Sequence, residues 1–166
     1  MKLLLDRGAD PKIMTANNDS ALHVAAGIGW VEGVTYEWSP QQTLEAVKLC
    51  LDLGLDPNAK DNDGRTALHG AAHKGSDAVV ELLVARGGKL DIHDNGSRDT
   101  ISGSMFGHTW LPIEYTQGLV RVGVQSALEH PTTEVLIQRL MEERGMPVPP
   151  RIKSSLCLAV ICKGDE

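Results

Sequence analysis

The chain has 166 residues and carries a formal net charge of −6 at neutral pH. Its hydrophobic content of 42%, with 23% charged residues, is typical of a folded protein and not of a disordered one. Sequence-independent nucleic-acid binding needs a basic patch, and this acidic chain has no run of three basic residues. No apolar stretch approaches the roughly 18 residues of a membrane span. We therefore expect neither nucleic acid nor a membrane as a partner.

Helical patterns recur along the chain at a fixed spacing. Val47 and Val80 are 33 residues apart, as are Gly54 and Gly87. A period of 33 residues is typical of repeat proteins whose units each contain two helices. Such units bury their apolar faces only against their neighbours.

A second spacing marks an insertion in the earlier unit. Leu22 and Leu68 are equivalent but 46 residues apart, so thirteen extra residues are present, and they fit best at 30–42. Residues 3–11 align with residues 49–57 at the same offset. Met1 would then fall inside the second helix of a unit whose first helix is missing from the sequence. We expect the chain to be a fragment of a longer array.

Residues 61–75, which read Asp-Asn-Asp-Gly-Arg-Thr-Ala-Leu-His-Gly-Ala-Ala-His-Lys-Gly, resemble the first half of an ankyrin repeat. Residues 79–87 resemble the second half, and residues 20–29 are an earlier copy of the first. The resemblance implies an all-α solenoid of helix-turn-helix units with hairpin-like loops, here with two long insertions between helices. In the family pattern, His23 and His69 tie neighbouring turns together through their ring nitrogens.

The repeat pattern weakens after Gly87. The predicted counterpart of Thr66-Ala67-Leu68-His69 is Thr109-Trp110-Leu111-Pro112-Ile113, after roughly ten extra residues. A second helix is predicted over 132–143, and Gly145 ends it. The sequence thus predicts an ankyrin-repeat domain over 1–146, followed by a tail or cap over 147–166. The domain consists of a partial repeat (1–14), two repeats (about 15–60 and 61–93) and an irregular unit (94–146). Within the tail, residues 156–162 are predicted to form a short strand or a capping segment.

Partner binding is what the resemblance implies. Ankyrin arrays usually meet proteins through the hairpin tips and the exposed face of the first helices, which together form a concave groove. Carried over by position, the tip residues are Asn62, Asp63 and Arg65, and the helix residues are His73 and Lys74.

The aromatic residues supply further candidates, because they lie outside the well-matched parts of the repeats. Trp30, Trp38 and Trp110 are predicted partner contacts, since Trp often dominates interface energy. Packing of their own loops is the alternative. The apolar residues 3–5 have no preceding helix to cover them, so we also expect self-association through this N-terminal face.

Signs of catalysis or metal binding are weak. His69 and His73 are four residues apart on one predicted helix, but no Glu follows His69 as a zinc-protease helix would require. No nucleophile motif of the Gly-x-Ser-x-Gly type is present. The three cysteines make no disulfide framework, and Cys50 is predicted to be a small buried hydrophobe. A reducing compartment such as the cytoplasm fits best.

The sequence therefore predicts a non-enzymatic protein-interaction module with an unidentified protein partner, no cofactor and no metal. We expect it to belong to a larger protein of bacterial or environmental type. Two alternatives stay open: a recruiting or regulatory segment of a larger enzyme, and a structural spacer within a longer solenoid.

Overall fold

The computed structural model describes residues 2–31, 34–36, 38–96, 107–118 and 128–152. Within these residues the chain forms α-helices, one 3₁₀ helix and a single isolated β-bridge, so the predicted all-α class is confirmed for them. The helices, in chain order, are α1 (Lys2–Asp6), α2 (Ala21–Ala26), α3 (Pro40–Asp52), α4 (Ala67–Lys74), α5 (Asp77–Ala85), the 3₁₀ helix η1 (Pro112–Thr116) and α6 (Pro131–Glu142). No described helix is long and apolar enough to cross a membrane.

The helices stack in two rows. The inner row consists of α2, α4 and η1, each in contact with the next, and the outer row consists of α3, α5 and α6. Each inner helix also packs against the outer helix that follows it in the chain. Three consecutive units therefore stand side by side, and their main contacts within the described residues are with their neighbours.

The hydrophobic core lies between the two rows. Leu22, Leu68 and Ile113 occupy equivalent inner positions, and all three are buried. Burying such a side chain stabilises the fold by about 1.5–3 kcal/mol. The buried residues of the outer row include Val47, Cys50, Val80, Leu83 and Ile137.

The inner helices approach each other closely because their facing residues are small. A Cβ atom built on Gly27 would lie 2.6 Å from the carbonyl oxygen of Gly70 on the neighbouring helix. Ala26, Ala71 and Ala72 are fully buried on the same helices. Small residues therefore set the spacing of the units.

The connection from α2 to α3 overlaps the predicted insertion at 30–42, but residues 40–42 already form the first turn of α3. Helix α2 ends at Ala26 and α3 begins at Pro40, so the extra residues connect an inner helix to an outer one. Ser39 caps α3: its backbone N–H donates to Gln42 Oε1 (3.1 Å), and its Oγ accepts from the Gln42 N–H (3.2 Å).

The predicted register of the irregular unit is wrong by two residues. The Asp94 N–H donates to the Trp110 carbonyl (3.0 Å), as the Asp61 N–H donates to the Arg65 carbonyl (3.0 Å). The reverse bonds to the Asp Oδ1 atoms are also equivalent, at 2.9 and 2.8 Å. Trp110 thus stands in the place of Arg65, and Leu111, not Thr109, stands in the place of Thr66.

Glu114 explains the shifted register. The Leu111 N–H donates to Glu114 Oε2 (2.6 Å), whereas in the preceding unit the Thr66 N–H donates to His69 Nδ1 (3.0 Å). Glu114 therefore accepts the backbone hydrogen bond at the start of η1, as His69 does at the start of α4. The residues inserted before this point, 97–106, lie outside the described residues.

The C-terminal helix is close to its predicted bounds, since α6 spans Pro131–Glu142 and 132–143 was expected. Most of the connection from η1 to α6, residues 119–127, lies outside the described residues. After α6 the chain turns back, and the Ile152 N–H donates to Gln117 Oε1 (3.1 Å). Met146, Val148 and Ile152 pack against the core. The predicted strand at 156–162 lies outside the described residues.

Candidate functional site

The hairpin tips of successive units are joined by a ladder of hydrogen bonds. The Asn62 N–H donates to the Asn17 carbonyl (2.9 Å), and the Asn95 N–H donates to the Asp63 carbonyl (2.8 Å). The side-chain amide of Asn62 donates to the Ala16 carbonyl (3.3 Å), and that of Asn95 to the Asn62 carbonyl (3.0 Å). Asn62, at the predicted tip, therefore holds two neighbouring hairpins together through its backbone and its side chain.

The Arg65 side chain is also bonded within the hairpin, to two aspartates. Its Nε donates to Asp61 Oδ2 (2.7 Å), its Nη2 lies 2.9 Å from Asp63 Oδ2, and only 11% of its side chain is exposed. Burial alone would lower the pKa of Arg65, but the neighbouring carboxylate of Asp61, helped by Asp63, raises it above its ordinary value. Of the tip side chains, the carboxylate of Asp63 offers the more accessible charge.

Two histidines link each inner helix to the following hairpin. His23 Nε2 lies 2.9 Å from the Ala59 carbonyl oxygen, and His69 Nε2 lies 3.1 Å from the Trp110 carbonyl oxygen. A carbonyl can only accept, so each Nε2 carries the proton and each Nδ1 accepts from a backbone N–H. This is the structural role that the sequence resemblance implies, and it leaves His69 unsuited to binding a metal.

Trp30, His73 and Lys74 form one surface at the C-terminal end of α4. The Trp30 and His73 rings meet edge to face with centroids 5.7 Å apart. The Lys74 ammonium lies 5.9 Å from the centroid of the Trp30 ring, within the range of a cation–π contact. The His73 ring is in turn 6.5 Å from that of Tyr115. We refer to Trp30, His73 and Lys74 as the α4-end surface; two consecutive units contribute to it.

The structure separates the two remaining tryptophans. Trp110 is only 2% exposed, and its ring packs against His108 at 4.7 Å. Its prediction as a partner contact does not fit this burial, because the carbonyl bonds to Asp94 and His69 hold the residue in the core. Trp38 is 57% exposed and meets Tyr36 edge to face at 5.0 Å.

A groove of about 940 Å³ runs along the N-terminal side of α2 and α3. Large apolar side chains are exposed beside it, and an exposed apolar patch of this kind is typical of an interaction site. We refer to this cavity as the N-terminal groove; its lining includes Leu3, Val24, Ala25, Tyr36, Trp38 and Ala46, with Trp30 and Lys74 at one end.

Stacked pairs of helices joined by hairpin arms define a helical repeat protein, or solenoid. A family model described as ankyrin repeats in three copies matches residues 1–95. The chain therefore belongs to the ankyrin repeat family, and the predicted ankyrin solenoid is confirmed. The members of this family generally act as non-enzymatic modules of protein–protein interaction. The match covers α1 to α5 and ends before η1 and α6.

Among the described residues, no group of three or more His, Cys, Asp or Glu side chains is placed to hold a metal ion. The groove contains one residue that the sequence reasoning missed. Val24 stands 46 residues before Gly70, the glycine against which α2 packs in the next unit. The exchange of glycine for valine between these equivalent positions is the signal in the sequence that could have identified it.

Proposed function

We propose that the chain is a non-enzymatic protein-interaction module that binds its partner through the α4-end surface and the adjoining tip. The observation that carries this proposal is the contact of Trp30 with both His73 and Lys74. An aromatic ring, an imidazole and an ammonium from two units are thereby held in fixed positions. Aromatic anchors in rigid positions commonly supply much of the binding energy of an interface.

The α4-end surface and the adjoining tip carry charges of opposite sign. Lys74 is cationic at the end of α4, and Asp63 presents a carboxylate at the neighbouring tip. A partner with an apolar group for Trp30 and an acidic group for Lys74 would match them. Such complementarity contributes mainly to specificity and to the rate of association.

Affinity capture from a lysate of the source organism tests the proposal. We expect the unmodified chain to retain a protein that the double variant Trp30→Ala, Lys74→Glu loses. Lys48→Glu is the matched control, because it makes the same charge change at an exposed position of an outer helix. Circular dichroism must show that all three are folded. Equal capture by both variants would contradict the proposed surface.

The tip residues require a different substitution. Asn62→Ala and Arg65→Ala would remove bonds within the scaffold, so a loss of binding would not be informative. Asp63→Asn removes the accessible charge, retains a side-chain oxygen that can accept from Arg65 Nη2, and keeps the backbone ladder. We expect it to weaken capture less than the Trp30 and Lys74 double variant, since surface charges contribute less than aromatic anchors.

Capture also distinguishes the two alternatives. If the chain is a recruiting or regulatory segment of an enzyme, the retained protein will be a substrate or the catalytic part. A structural spacer retains no protein, and substitutions on its surface alter nothing except its stability.

The exposed side chains of the N-terminal face support self-association as a second use of the chain. Leu3, Val24, Tyr36 and Trp38 are all exposed there. Light scattering after size-exclusion chromatography, over a wide range of protein concentration, measures this directly. A mass that stays monomeric throughout would contradict self-association.

A further inference from the structure

We propose that residues 147–151 form a preformed polyproline II segment that docks into the aromatic-lined groove of a proline-recognising domain of another protein. This site goes beyond the proposed function, because it follows α6 and shares no residue with the α4-end surface. A polyproline II helix is extended, has three residues per turn and makes no internal hydrogen bonds.

The sequence itself restricts the backbone of this segment. Three of the chain's eight prolines lie within the four residues 147–150. The ring of each proline fixes its φ at about −65°. A residue that precedes a proline is restricted to extended or polyproline II backbone, and this applies to Met146, Val148 and Pro149. In agreement, residues 146–152 form neither helix nor strand in the structure.

The prolines are not needed to end α6. The helix is closed before them by a turn in which Gly145 has a φ of +65° and the Met146 N–H donates to the Met141 carbonyl (3.0 Å). The Gly145 N–H donates to the Glu142 carbonyl (2.9 Å) in the same turn. These are the two bonds of a Schellman motif, which ends a helix without proline. The proline run is therefore free to serve another role.

The burial of the segment repeats every three residues. One edge is half-buried and consists of Met146, Pro149 and Ile152, of which Met146 and Ile152 pack against the hydrophobic core. The next edge is exposed and consists of Pro147 and Pro150. A period of three is that of a polyproline II helix. One edge is therefore attached to the protein, and a Pro-x-x-Pro ridge faces solvent.

Contacts with the preceding unit hold the segment in place. The Ile152 N–H donates to Gln117 Oε1 (3.1 Å). The third edge carries Val148, which also packs against the core, and Arg151, whose Nη2 lies 3.0 Å from Glu129 Oε2. A segment that is already fixed in its bound conformation loses less conformational entropy on binding.

The chemistry of the exposed ridge identifies the kind of partner. The carbonyl groups of residues 147–150 accept no hydrogen bond from any described residue, so a partner can donate to them. Proline rings are apolar and rigid, and grooves lined by aromatic side chains bind Pro-x-x-Pro segments in this conformation. Arg151 and Glu129 are both more than half exposed, and such surface pairs contribute little to stability. A carboxylate beside the partner's groove can therefore replace Glu129 as the partner of Arg151.

A panel of isolated SH3 and WW domains tests the proposal, each domain first shown to bind a proline-rich peptide of its own. Isothermal titration calorimetry with the full chain measures binding. We expect at least one domain to bind the chain, and its own peptide to displace the chain by competition. Binding by no domain of the panel, or binding that the peptide does not displace, would overturn the proposal.

Substitutions in the full chain locate the contact. The double variant Pro147→Ala, Pro150→Ala should lower the affinity about tenfold or more, because both rings leave the groove. The matched control is Pro40→Ala, Pro131→Ala, which removes two exposed prolines at the starts of α3 and α6 and should leave the affinity unchanged. Circular dichroism must show that both variants are folded. Equal affinities of the two double variants would overturn the proposal.

The charge beside the ridge provides a second test. Arg151→Glu should weaken binding, and Arg139→Glu, at a similarly exposed position of α6, should not. Equal effects of the two variants would contradict a contact of Arg151 with the partner. Trp30 and Lys74 are unchanged in all of these variants, so failure of the proline ridge would leave the proposed function standing.

Discussion

His69 joins three parts of the chain through one neutral ring. Its Nδ1 accepts from the Thr66 N–H at the start of α4, and its Nε2 donates to the Trp110 carbonyl in the following unit. The ring also packs edge to face on Tyr115, with centroids 5.0 Å apart. A side chain that satisfies buried backbone groups in two units couples the folding of those units.

Replacing His69 with alanine should cost about 1–3 kcal/mol of unfolding free energy, because the buried Thr66 N–H loses its acceptor and the Trp110 carbonyl loses one of its two donors. Urea denaturation followed by circular dichroism measures the loss. His93→Ala is the control: His93 is exposed and its Nδ1 bonds to Thr109 at the surface (3.1 and 3.2 Å), so it should cost less, about 0.5–1 kcal/mol. Similar losses for both variants would contradict the coupling role of His69.

Cys50 is buried in the core, as the sequence predicts, and burial raises the pKa of its thiol to about 11. The unfolded chain loses this proton near pH 9.0, whereas the folded chain retains it to about pH 11. Unfolding between these values therefore releases a proton, so the stability that the neutral thiol contributes is complete below pH 9.0 and is lost as pH rises through that range.

We expect the stability of the chain to fall between pH 9 and 11 more steeply than that of Cys50→Ala, by up to about 1.4 kcal/mol per pH unit. Urea midpoints at several pH values measure the two slopes. Cys157→Ser and Cys162→Ser are present in both proteins, so that Cys50 is the only thiol that differs. Parallel slopes would rule out the linkage.

At the residue scale, the sequence predicts positions that keep the residue types of the family pattern. It predicts the buried Cys50 and the roles of His23 and His69. It misplaces the start of η1, because Glu114 performs the same closure with a different side chain. Proline at the first helical position and glutamate at the third would have indicated the correct register.

At the scale of the element, the inner helices depend on glycines for different reasons. Gly27 ends α2 with a φ of +124°, and a Cβ there would meet the backbone of α4 at 2.6 Å. Gly29, two residues later, has a φ of +82° but no heavy atom within 4 Å of its Cβ position. The first glycine is required by packing and by conformation, and the second by conformation alone.

Gly27→Ala should therefore destabilise the chain by about 2–5 kcal/mol, from backbone strain together with overpacking. Gly29→Ala is the matched control, with an expected cost of about 1–2 kcal/mol from strain alone. The difference between their urea midpoints isolates the close approach of α2 to α4. Equal costs would show that the helices move apart without penalty.

The elements themselves were largely predictable. Their apolar residues follow helical spacing, and the bounds of α6 differ from the prediction by one residue at each end. The residues of the candidate site were harder to predict from the sequence. Burial of Trp110 depends on its carbonyl bonds across the irregular unit, and the exposure of Val24 depends on what lies beside α2. Neither is encoded in local spacing.

At the scale of the whole molecule, the irregular unit covers the regular ones. Helix η1 packs on α4, and α6 packs on both η1 and α5. Ile137 of α6 is fully buried, although it lies beyond the range that the family model matches. Stability in a solenoid is close to a sum over neighbouring units, so the regular repeats depend on this cover.

A chain that ends at residue 95 should therefore unfold at a lower urea midpoint and with a smaller m-value than the full chain, despite keeping all of the matched repeats. Ile137→Ala weakens the same contact within the full chain and should cost about 2–4 kcal/mol. Val135→Ala, on the exposed side of α6, should cost roughly 0.5 kcal/mol or less. An unchanged midpoint after truncation would contradict this dependence.

Glu114 changes how this unit of the stack is linked to its surroundings. In each earlier unit, the imidazole at this position uses its outer nitrogen to hold the hairpin that comes next. Glu114 instead pairs with His108 of its own unit, with Oε1 3.0 Å from Nε2. The Glu114 side chain is thus bonded within its own unit, and it does not repeat the linkage that His23 and His69 make to the next hairpin. That linkage runs in one direction along the stack, and it gives the molecule a polarity that a count of repeats does not reveal.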